Sequence, residues 1–205
     1  LLGATAVSTS AEARERQDRK SSQKEENRYP DATREQPKVK GSPKLQKKLQ
    51  SMVDAYNKDD FAAARALADE IIATEAATAY DRSVAGQIGS QAAYNTDDTA
   101  GTIAYLKRAI EENALDNNSH YQLMYMLAGV QLQEDQFAEG LATLDRYFAE
   151  TKSQKPEDLV LKGQALYQSE RYAEAIPVLK QAIDSSPEPK DNWLQLLMAS
   201  YAEAG

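Results

Sequence analysis

The sequence predicts an all-α protein built from repeated pairs of helices, and two patterns lead to this prediction. The phrase AYNKDD at residues 55–60 recurs as AYNTDD at residues 93–98. Four further segments share one spacing, in which a small residue comes three positions after the first residue and apolar residues come seven and eleven positions after it. They are Phe61, Ala64, Ala68 and Ile72; Thr99, Thr102, Leu106 and Ile110; Phe137, Gly140, Leu144 and Phe148; and Tyr172, Ala175, Leu179 and Ile183. These intervals place the residues on one face of a helix, whereas no alternating run predicts a strand.

Each predicted pair consists of a first helix, A, and a second helix, B, joined by a tight turn. The A helices are predicted at residues 45–58, 79–95, 118–134, 156–169 and 190–204, and the B helices at residues 60–73, 98–113, 136–150 and 171–185. Asp59-Asp60 and Asp97-Asp98 precede B helices, where a carboxylate can accept hydrogen bonds from unpaired N–H groups. Glu134-Asp135 and Ser169-Glu170 are expected to play the same role, and Asn57 and Asn95 suit the ends of A helices.

The N-terminal residues differ in composition from the repeats. Residues 1–13, LLGATAVSTSAEA, end in the Ala-x-Ala pattern of a secretory cleavage site. We therefore predict the remnant of a secretory signal peptide, cleaved after Ala13, and an exported protein. The alternative is a disordered alanine-rich tail. No apolar run of about 18 residues occurs, so no membrane span is predicted.

Residues 14–44 form a charged segment with few apolar side chains. The segment holds ten Lys and Arg against six Asp and Glu, whereas residues 45–205 hold 14 basic and 25 acidic side chains. Such a composition cannot bury a core, so we predict a disordered charged linker. A basic arm could alternatively bind a membrane surface or an acidic partner. The acidic body would repel phosphate, so no nucleic-acid partner is expected.

The sequence offers little catalytic chemistry. It contains no cysteine and a single histidine, His120. A zinc site needs several Cys, His or carboxylate ligands close together, and a Ser-His or Cys-His pair would depend on His120 alone. This histidine ends the turn-like stretch DNNSH at residues 116–120 and is expected to be solvated. With no phosphate-binding glycine motif either, we predict a protein that is not an enzyme and holds no metal or cofactor.

The C-terminal part of the sequence carries a family resemblance. Residues 159–189, LVLKGQALYQSERYAEAIPVLKQAIDSSPEP, resemble a tetratricopeptide repeat, with Gly163 at the small position of helix A and Tyr172 and Ala175 in helix B. Residues 193–205 resemble helix A of a following repeat. The resemblance implies a right-handed α-solenoid over residues 45–205, with four helix pairs and the first helix of a fifth. We expect the chain to continue beyond Gly205; the alternative is that the exposed last helix forms a cap and a dimer contact.

In the tetratricopeptide family the A helices line the concave face, which suggests where a partner would bind. The side chains on this face of the predicted A helices are mostly tyrosines and amides. They are Tyr56, Asn57, Gln87, Gln91, Tyr94, Asn95, Tyr125, Leu132, Gln133, Gln164, Tyr167, Gln168, Met198 and Tyr201. Such a groove offers apolar area and hydrogen bonds to a peptide or protein. The alternative is that the tyrosines pack between helices A and B.

A narrower resemblance concerns the last helix. The stretch PKDNWLQLLMASY at residues 189–201, together with the predicted export, is similar to periplasmic tetratricopeptide proteins that accompany TonB, ExbB and ExbD. It implies a non-catalytic periplasmic scaffold whose partner is the periplasmic domain of TonB or ExbD. The alternative function is an accessory domain of a larger envelope enzyme or of a secretion or assembly complex.

Overall fold

A computed structural model describes residues 26–205, and within this range the chain forms nine helices and no strands. The A helices are α1 (Gln46–Asn57), α3 (Ala79–Tyr94), α5 (Asn117–Gln133), α7 (Pro156–Gln168) and α9 (Asp191–Ala204). The B helices are α2 (Phe61–Ala73), α4 (Thr99–Glu111), α6 (Phe137–Thr151) and α8 (Tyr172–Ser185). The predicted all-α class is confirmed, and each predicted helix bound lies within two residues of the observed one. The predicted signal-peptide remnant, residues 1–13, lies outside the described residues.

The helices stack in the order of the chain. Each helix contacts the next, and α1 and α7 also contact the following A helices, α3 and α9. Buried side chains form three clusters along the stack, which include Met52 and Ile71 in the first and Leu106 in the second. The third cluster includes Leu144 and Leu179. Each repeat therefore buries its apolar face against its neighbours, as in other solenoids.

The same turn joins helix A to helix B in all four pairs. One residue of each turn adopts the left-handed backbone conformation; these residues are Asp59, Asp97, Asp135 and Glu170. The N–H of the next residue donates to the carbonyl oxygen five positions earlier. The four bonds join Asp60 to Ala55, Asp98 to Ala93, Gln136 to Gln131 and Arg171 to Leu166, at 2.9 to 3.0 Å. This bond closes the C-terminus of helix A in the manner of a Schellman motif.

Only two of the predicted acidic caps are present. The side chains of Asp60 and Asp98 accept hydrogen bonds from the N–H groups of Ala63 and Gly101, at 3.1 and 2.8 Å. The predicted capping by Glu134-Asp135 and Ser169-Glu170 is wrong, because the residues at those cap positions are Gln136 and Arg171, which make no side-chain cap. Asp135 and Glu170, the second residues of these two pairs, instead occupy the left-handed position, one residue too early to cap.

Glycine allows α3 and α4 to approach closely. A Cβ atom at Gly89 would lie 2.7 Å from the ring of Tyr105. This ring cannot move away freely, because its hydroxyl donates to Asp69 on α2 at 2.6 Å and Arg65 lies 6.0 Å from its centroid. The small residue at position 89 is therefore a packing requirement between the second repeat's two helices.

We expect Gly89→Ala to lower the free energy of unfolding by about 1–3 kcal/mol, since the new methyl group overpacks the contact with Tyr105. Gly129→Ala on α5 is the matched control, because no atom lies within 4 Å of a Cβ placed there. That control should be neutral or stabilising by up to about 1 kcal/mol, as alanine favours a helix. Urea denaturation followed by circular dichroism measures both, and equal effects would contradict the packing role.

Residues 26–44, which we call the strap, lie along one edge of the helix stack. Tyr29 is buried, with its ring centroid 5.0 Å from that of Tyr121 and 6.0 Å from that of Tyr147. The Lys155 ammonium lies 4.7 Å from the Tyr29 ring centroid. Nearer α1, the backbone N–H of Ser42 donates to both carboxylate oxygens of Asp81, at 3.1 and 2.9 Å, at the start of α3.

Arg34 fixes the middle of the strap. Its guanidinium donates to the side-chain oxygens of Asn113 and Asn117 at 2.6 and 2.5 Å. It also donates to the carbonyl oxygens of Asn113 and Leu115 at 3.0 and 2.9 Å. These contacts lie between α4 and α5, so the strap touches the start of three successive A helices, α3, α5 and α7.

The predicted disordered linker thus differs from the structure over residues 26–44, whereas residues 14–25 lie outside the described part. Composition predicted that this segment would bury nothing, because it averages over many charged residues. The average hides one aromatic ring that packs against two tyrosines and one guanidinium that donates four hydrogen bonds. Average polarity therefore did not identify the specific contacts of Tyr29 and Arg34.

We expect Arg34→Ala to lower the free energy of unfolding by about 1–3 kcal/mol, because four acceptors lose a charged donor. Lys38→Ala is the matched control, since Lys38 is an exposed base of the same strap. The melting temperature followed by circular dichroism should fall only in the Arg34 variant. An unchanged melting temperature would contradict the role of Arg34 in holding the strap.

Candidate functional site

The structure divides the predicted partner-binding residues by exposure. Those that are exposed are Asn57, Tyr94, Asn95, Gln133, Gln164, Met198 and Tyr201, and those that are partly buried are Tyr56, Gln87, Gln91, Tyr125, Tyr167 and Gln168. Leu132 is buried, at 4% exposure, which corrects its prediction as a partner contact. Its side chain packs where Gly140 leaves room, so it belongs to the contact between α5 and α6.

Three of the partly buried tyrosines pack against a neighbouring aromatic ring, in the direction that the alternative interpretation expected. The ring centroid of Tyr56 lies 5.6 Å from that of Phe61 at the start of α2, and that of Tyr167 lies 5.2 Å from that of Tyr172 at the start of α8. The Tyr125 centroid lies 5.8 Å from that of Tyr147. These tyrosines therefore contribute in large part to packing between helices.

Tyr94 differs because the aromatic partner is missing in its repeat. The residue equivalent to Phe61 and Tyr172 is Thr99, which is too small to cover the Tyr94 ring. Tyr94 is 55% exposed as a result. A cavity of about 280 Å³ lies beside it.

This cavity, which we call the Tyr94 cleft, is lined by Tyr94, Asp97, Thr99, Thr102, Val130 and Gln133. The residues come from the end of α3, the turn to α4, the first turn of α4 and the end of α5. The cleft thus combines an aromatic ring, a carboxylate, hydroxyl groups, an amide and an apolar valine. Such a set can hold one side chain of a partner and hydrogen-bond to its backbone.

Hydrogen bonds hold the helix ends next to the cleft. The Asn95 amide donates to the carbonyl oxygen of Gln91 at 2.8 Å and to the Tyr56 hydroxyl of the preceding repeat at 3.2 Å. The second of these bonds joins the ends of α1 and α3. Two of the predicted partner-binding residues, Tyr56 and Asn95, are therefore in direct contact across the first two repeats.

The two carboxylates of the second turn have different surroundings. Asp98 accepts a hydrogen bond from Gly101 N–H and pairs with Arg65 at 2.5 Å. The Gly101 bond, followed by Arg65, lowers the pKa of the Asp98 carboxyl. Asp97 is exposed, lines the cleft and forms no ion pair within residues 26–205. Its charge therefore faces the open side of the cleft.

His120 is buried, which corrects its prediction as a solvated turn residue. The Asp116 carboxylate accepts a hydrogen bond from Ser119 N–H at 2.9 Å and starts α5, so the DNNSH stretch ends inside a helix. Both ring nitrogens of His120 lack a hydrogen-bond partner among the described residues. Burial, followed by the charges of Arg34 and Arg146, lowers the His120 pKa to about 4. His120 is therefore neutral. It lies beside the second core cluster and does not line the Tyr94 cleft.

Residues 26–205 hold no group of three or more His, Asp or Glu side chains arranged to bind a metal ion. In the same range, no helix has both the length and the apolar run that crossing a membrane requires.

Comparison with known proteins identifies the repeats. A family model described as a tetratricopeptide repeat-like domain matches residues 27–202. The chain belongs to this family. The match includes nearly all of the strap as well as the helices. No curated protein matches the chain at a significant level.

Solved structures share this tetratricopeptide repeat-like fold at low sequence identity. MamA AMB-1 has a TM-score of 0.61 and 14% identity, over 79% of this chain and 83% of that one. The MamA RS-1 ArsTM double mutant has a TM-score of 0.61 and 16% identity, over 80% and 86%. A putative kinesin light chain of Podosopora anserina, with nearly identical TPR-like repeats, has a TM-score of 0.56 and 14% identity, over 79% and 87%. These similarities confirm the fold.

The burial of His120 predicts a specific effect of pH on stability. Its pKa is about 4 in the folded protein and about 6.5 in an unfolded chain. The folded state therefore binds fewer protons, and the stability due to neutral His120 is fully present above pH 6.5. It is lost as the pH falls from about 6.5 to about 4, by roughly 3 kcal/mol in total.

NMR measures this pKa directly, since the chain has one histidine and its ring gives one set of signals. The titration midpoint should lie below pH 5. A midpoint near 6.5 would show that His120 is accessible to solvent and would contradict its burial. In urea denaturation, His120→Gln should also reduce the dependence of stability on pH between about 4 and 6.5 relative to the unmodified protein.

Proposed function

We propose that this tetratricopeptide repeat-like protein is a non-catalytic scaffold that binds a polypeptide partner at the Tyr94 cleft and along the adjoining A-helix residues. The observation that carries the proposal is the exposure of Tyr94 beside an open cavity. Tyr56 and Tyr167, at the equivalent positions, each pack against an aromatic ring. An exposed tyrosine with an apolar and a polar part is the kind of residue that dominates protein interfaces.

The chemistry around the cleft supports a polypeptide ligand. Gln133, which lines the cleft, and Asn95, which follows Tyr94 in the chain, are exposed amides. Amides can both donate to and accept from a peptide backbone, and the tyrosine ring can contact a side chain. The binding face extends from this cleft toward the end of α1, because Asn95 is bonded to Tyr56.

The narrower proposal is export to the periplasm and an interaction with the periplasmic domain of TonB or ExbD. It rests on the Ala-x-Ala pattern that ends at Ala13 and on the resemblance of residues 189–201. The alternative proposal is an accessory domain of a larger envelope enzyme or of a secretion or assembly complex. A catalytic domain encoded after Gly205 in the reading frame would favour this alternative.

Site-specific photocrosslinking tests the binding face and the partner together. The crosslinking residue p-benzoylphenylalanine replaces Tyr94 in one variant and Ala104, which is exposed on α4, in the control. In living cells, we expect the Tyr94 position to give one discrete crosslinked product and the Ala104 position to give none. Circular dichroism should show the same helicity for both.

Mass spectrometry of the crosslinked product distinguishes the narrower proposals. TonB or ExbD in the crosslinked product would support them, whereas a cytoplasmic partner would overturn the proposed export. A subunit of another envelope complex would favour the alternative. Identical crosslinks at both positions, or no product at the Tyr94 position, would contradict the Tyr94 cleft as a binding site.

A further inference from the structure

The repeated turn places an acid at a fixed position relative to the last large residue of helix A. The left-handed acid follows that residue by three positions, and its N–H donates to that residue's carbonyl oxygen. The four pairs are Asp59 with Tyr56, Asp97 with Tyr94, Asp135 with Leu132 and Glu170 with Tyr167, at 3.0 to 3.3 Å. Because backbone geometry sets each pair, the carboxylate is presented close to the end of helix A.

In the second repeat an exposed ring and its acid line the same cavity, the Tyr94 cleft. In the first and fourth repeats an aromatic residue covers the tyrosine, and in the third the residue is the buried Leu132. The second repeat therefore offers a ring face and a carboxylate to the same entering group.

The charges around the cleft have one predominant sign. The turn before it contributes the exposed acids Asp59 and Asp60 and one exposed base, Lys58, and the turn after it contributes the exposed acids Glu134 and Asp135. The nearby base Arg65 is paired with Asp98 and leaves Asp97 uncompensated. Residues 45–205 as a whole carry 25 acidic and 14 basic side chains. A cationic segment therefore complements this edge, whereas an acidic one is repelled.

From these features we infer that the Tyr94 cleft takes a lysine or arginine side chain from an extended basic segment of the partner. The inference rests on the proposed function and specifies the chemistry of the ligand. The cation stacks on the Tyr94 ring and pairs with the Asp97 carboxylate, while Gln133 hydrogen-bonds to the backbone of the segment. A ring and a carboxylate together bind a cation more tightly than either does alone.

Fluorescence anisotropy with two labelled peptides tests this inference. The probes are a twelve-residue peptide of alternating serine and arginine and its counterpart of alternating serine and glutamate. We expect the arginine probe to bind the full chain with a Kd below about 100 μM at low salt and the glutamate probe not to bind. Failure of the arginine probe to bind, or equal binding of both probes, would overturn the inference.

Matched variants separate the cleft from the general acidity of the protein. Asp97→Asn keeps the size of the side chain and tolerates the left-handed backbone, and we expect it to weaken arginine-probe binding about fivefold to tenfold. Glu111→Gln removes the same charge at the exposed far end of α4 and should change binding less than twofold. Tyr94→Leu should weaken binding at least threefold, and Tyr94→Phe, which keeps the ring face, less than twofold.

Equal weakening by Asp97→Asn and Glu111→Gln would indicate diffuse attraction and would overturn the assignment of the cation to the cleft. The crosslinking experiment is independent of this result. If Tyr94 crosslinks to a discrete partner but the arginine probe ignores Asp97 and Tyr94, the proposed function stands and the basic ligand is rejected. If neither experiment gives a signal, both are rejected.

Discussion

The turn between helix A and helix B is the constraint on which the other features depend. In each turn, the backbone N–H of the residue that precedes helix B donates to the carbonyl oxygen five positions earlier, in helix A. This bond requires a left-handed residue between the two helices. Aspartate is among the non-glycine residues that enter this conformation most readily. The turn thereby favours the aspartate that occupies this position in three of the four pairs. It also directs helix B back along helix A and positions the large residue near the end of helix A. The phrase that recurs at residues 55–60 and 93–98 reflects what this turn requires.

The candidate site arises where one repeat departs from the others. In most repeats an aromatic residue begins helix B, and in the first and fourth it covers the tyrosine at the end of helix A. Thr99 has the β-branched shape that the helix start accepts but lacks the volume to fill that contact. The second repeat therefore buries less area between its own two helices than the first and fourth repeats do, and the Tyr94 ring stays uncovered beside a cavity. Local departures of this kind are where functional sites are expected in otherwise consistent structures.

The sequence predicted the helices well, because helical spacing is a property of short stretches. It predicted the site in part. Tyr94 was identified, but the sequence could not separate it from Tyr56 and Tyr167, since exposure depends on the residue five positions later and on its packing. Leu132 was misassigned because its burial depends on the space that Gly140 leaves on the next helix.

The other errors came from contacts between distant residues. His120 is buried because Asp116 starts a helix that neighbouring side chains then cover, whereas the local stretch resembles a turn. The strap was predicted to bury nothing, although Tyr29 contacts Tyr121 and Tyr147, about 90 and 120 residues later in the chain. Patterns in a single sequence reflect the conformational preference of short stretches, and contacts between distant residues leave no such pattern.

The strap also changes how the molecule can come apart. A stack of repeats behaves as a one-dimensional array, in which terminal repeats open first and each repeat depends only on its neighbours. The strap adds contacts of large sequence separation that bridge several repeats, which raises the contact order and couples their opening. When α3 or α5 separates from the stack, the strap loses part of the surface on which it packs. Its contacts with the other A helices then weaken. We therefore expect this molecule to unfold more cooperatively than a linear array without such a segment, and its edge amides to exchange with solvent mainly through shared openings.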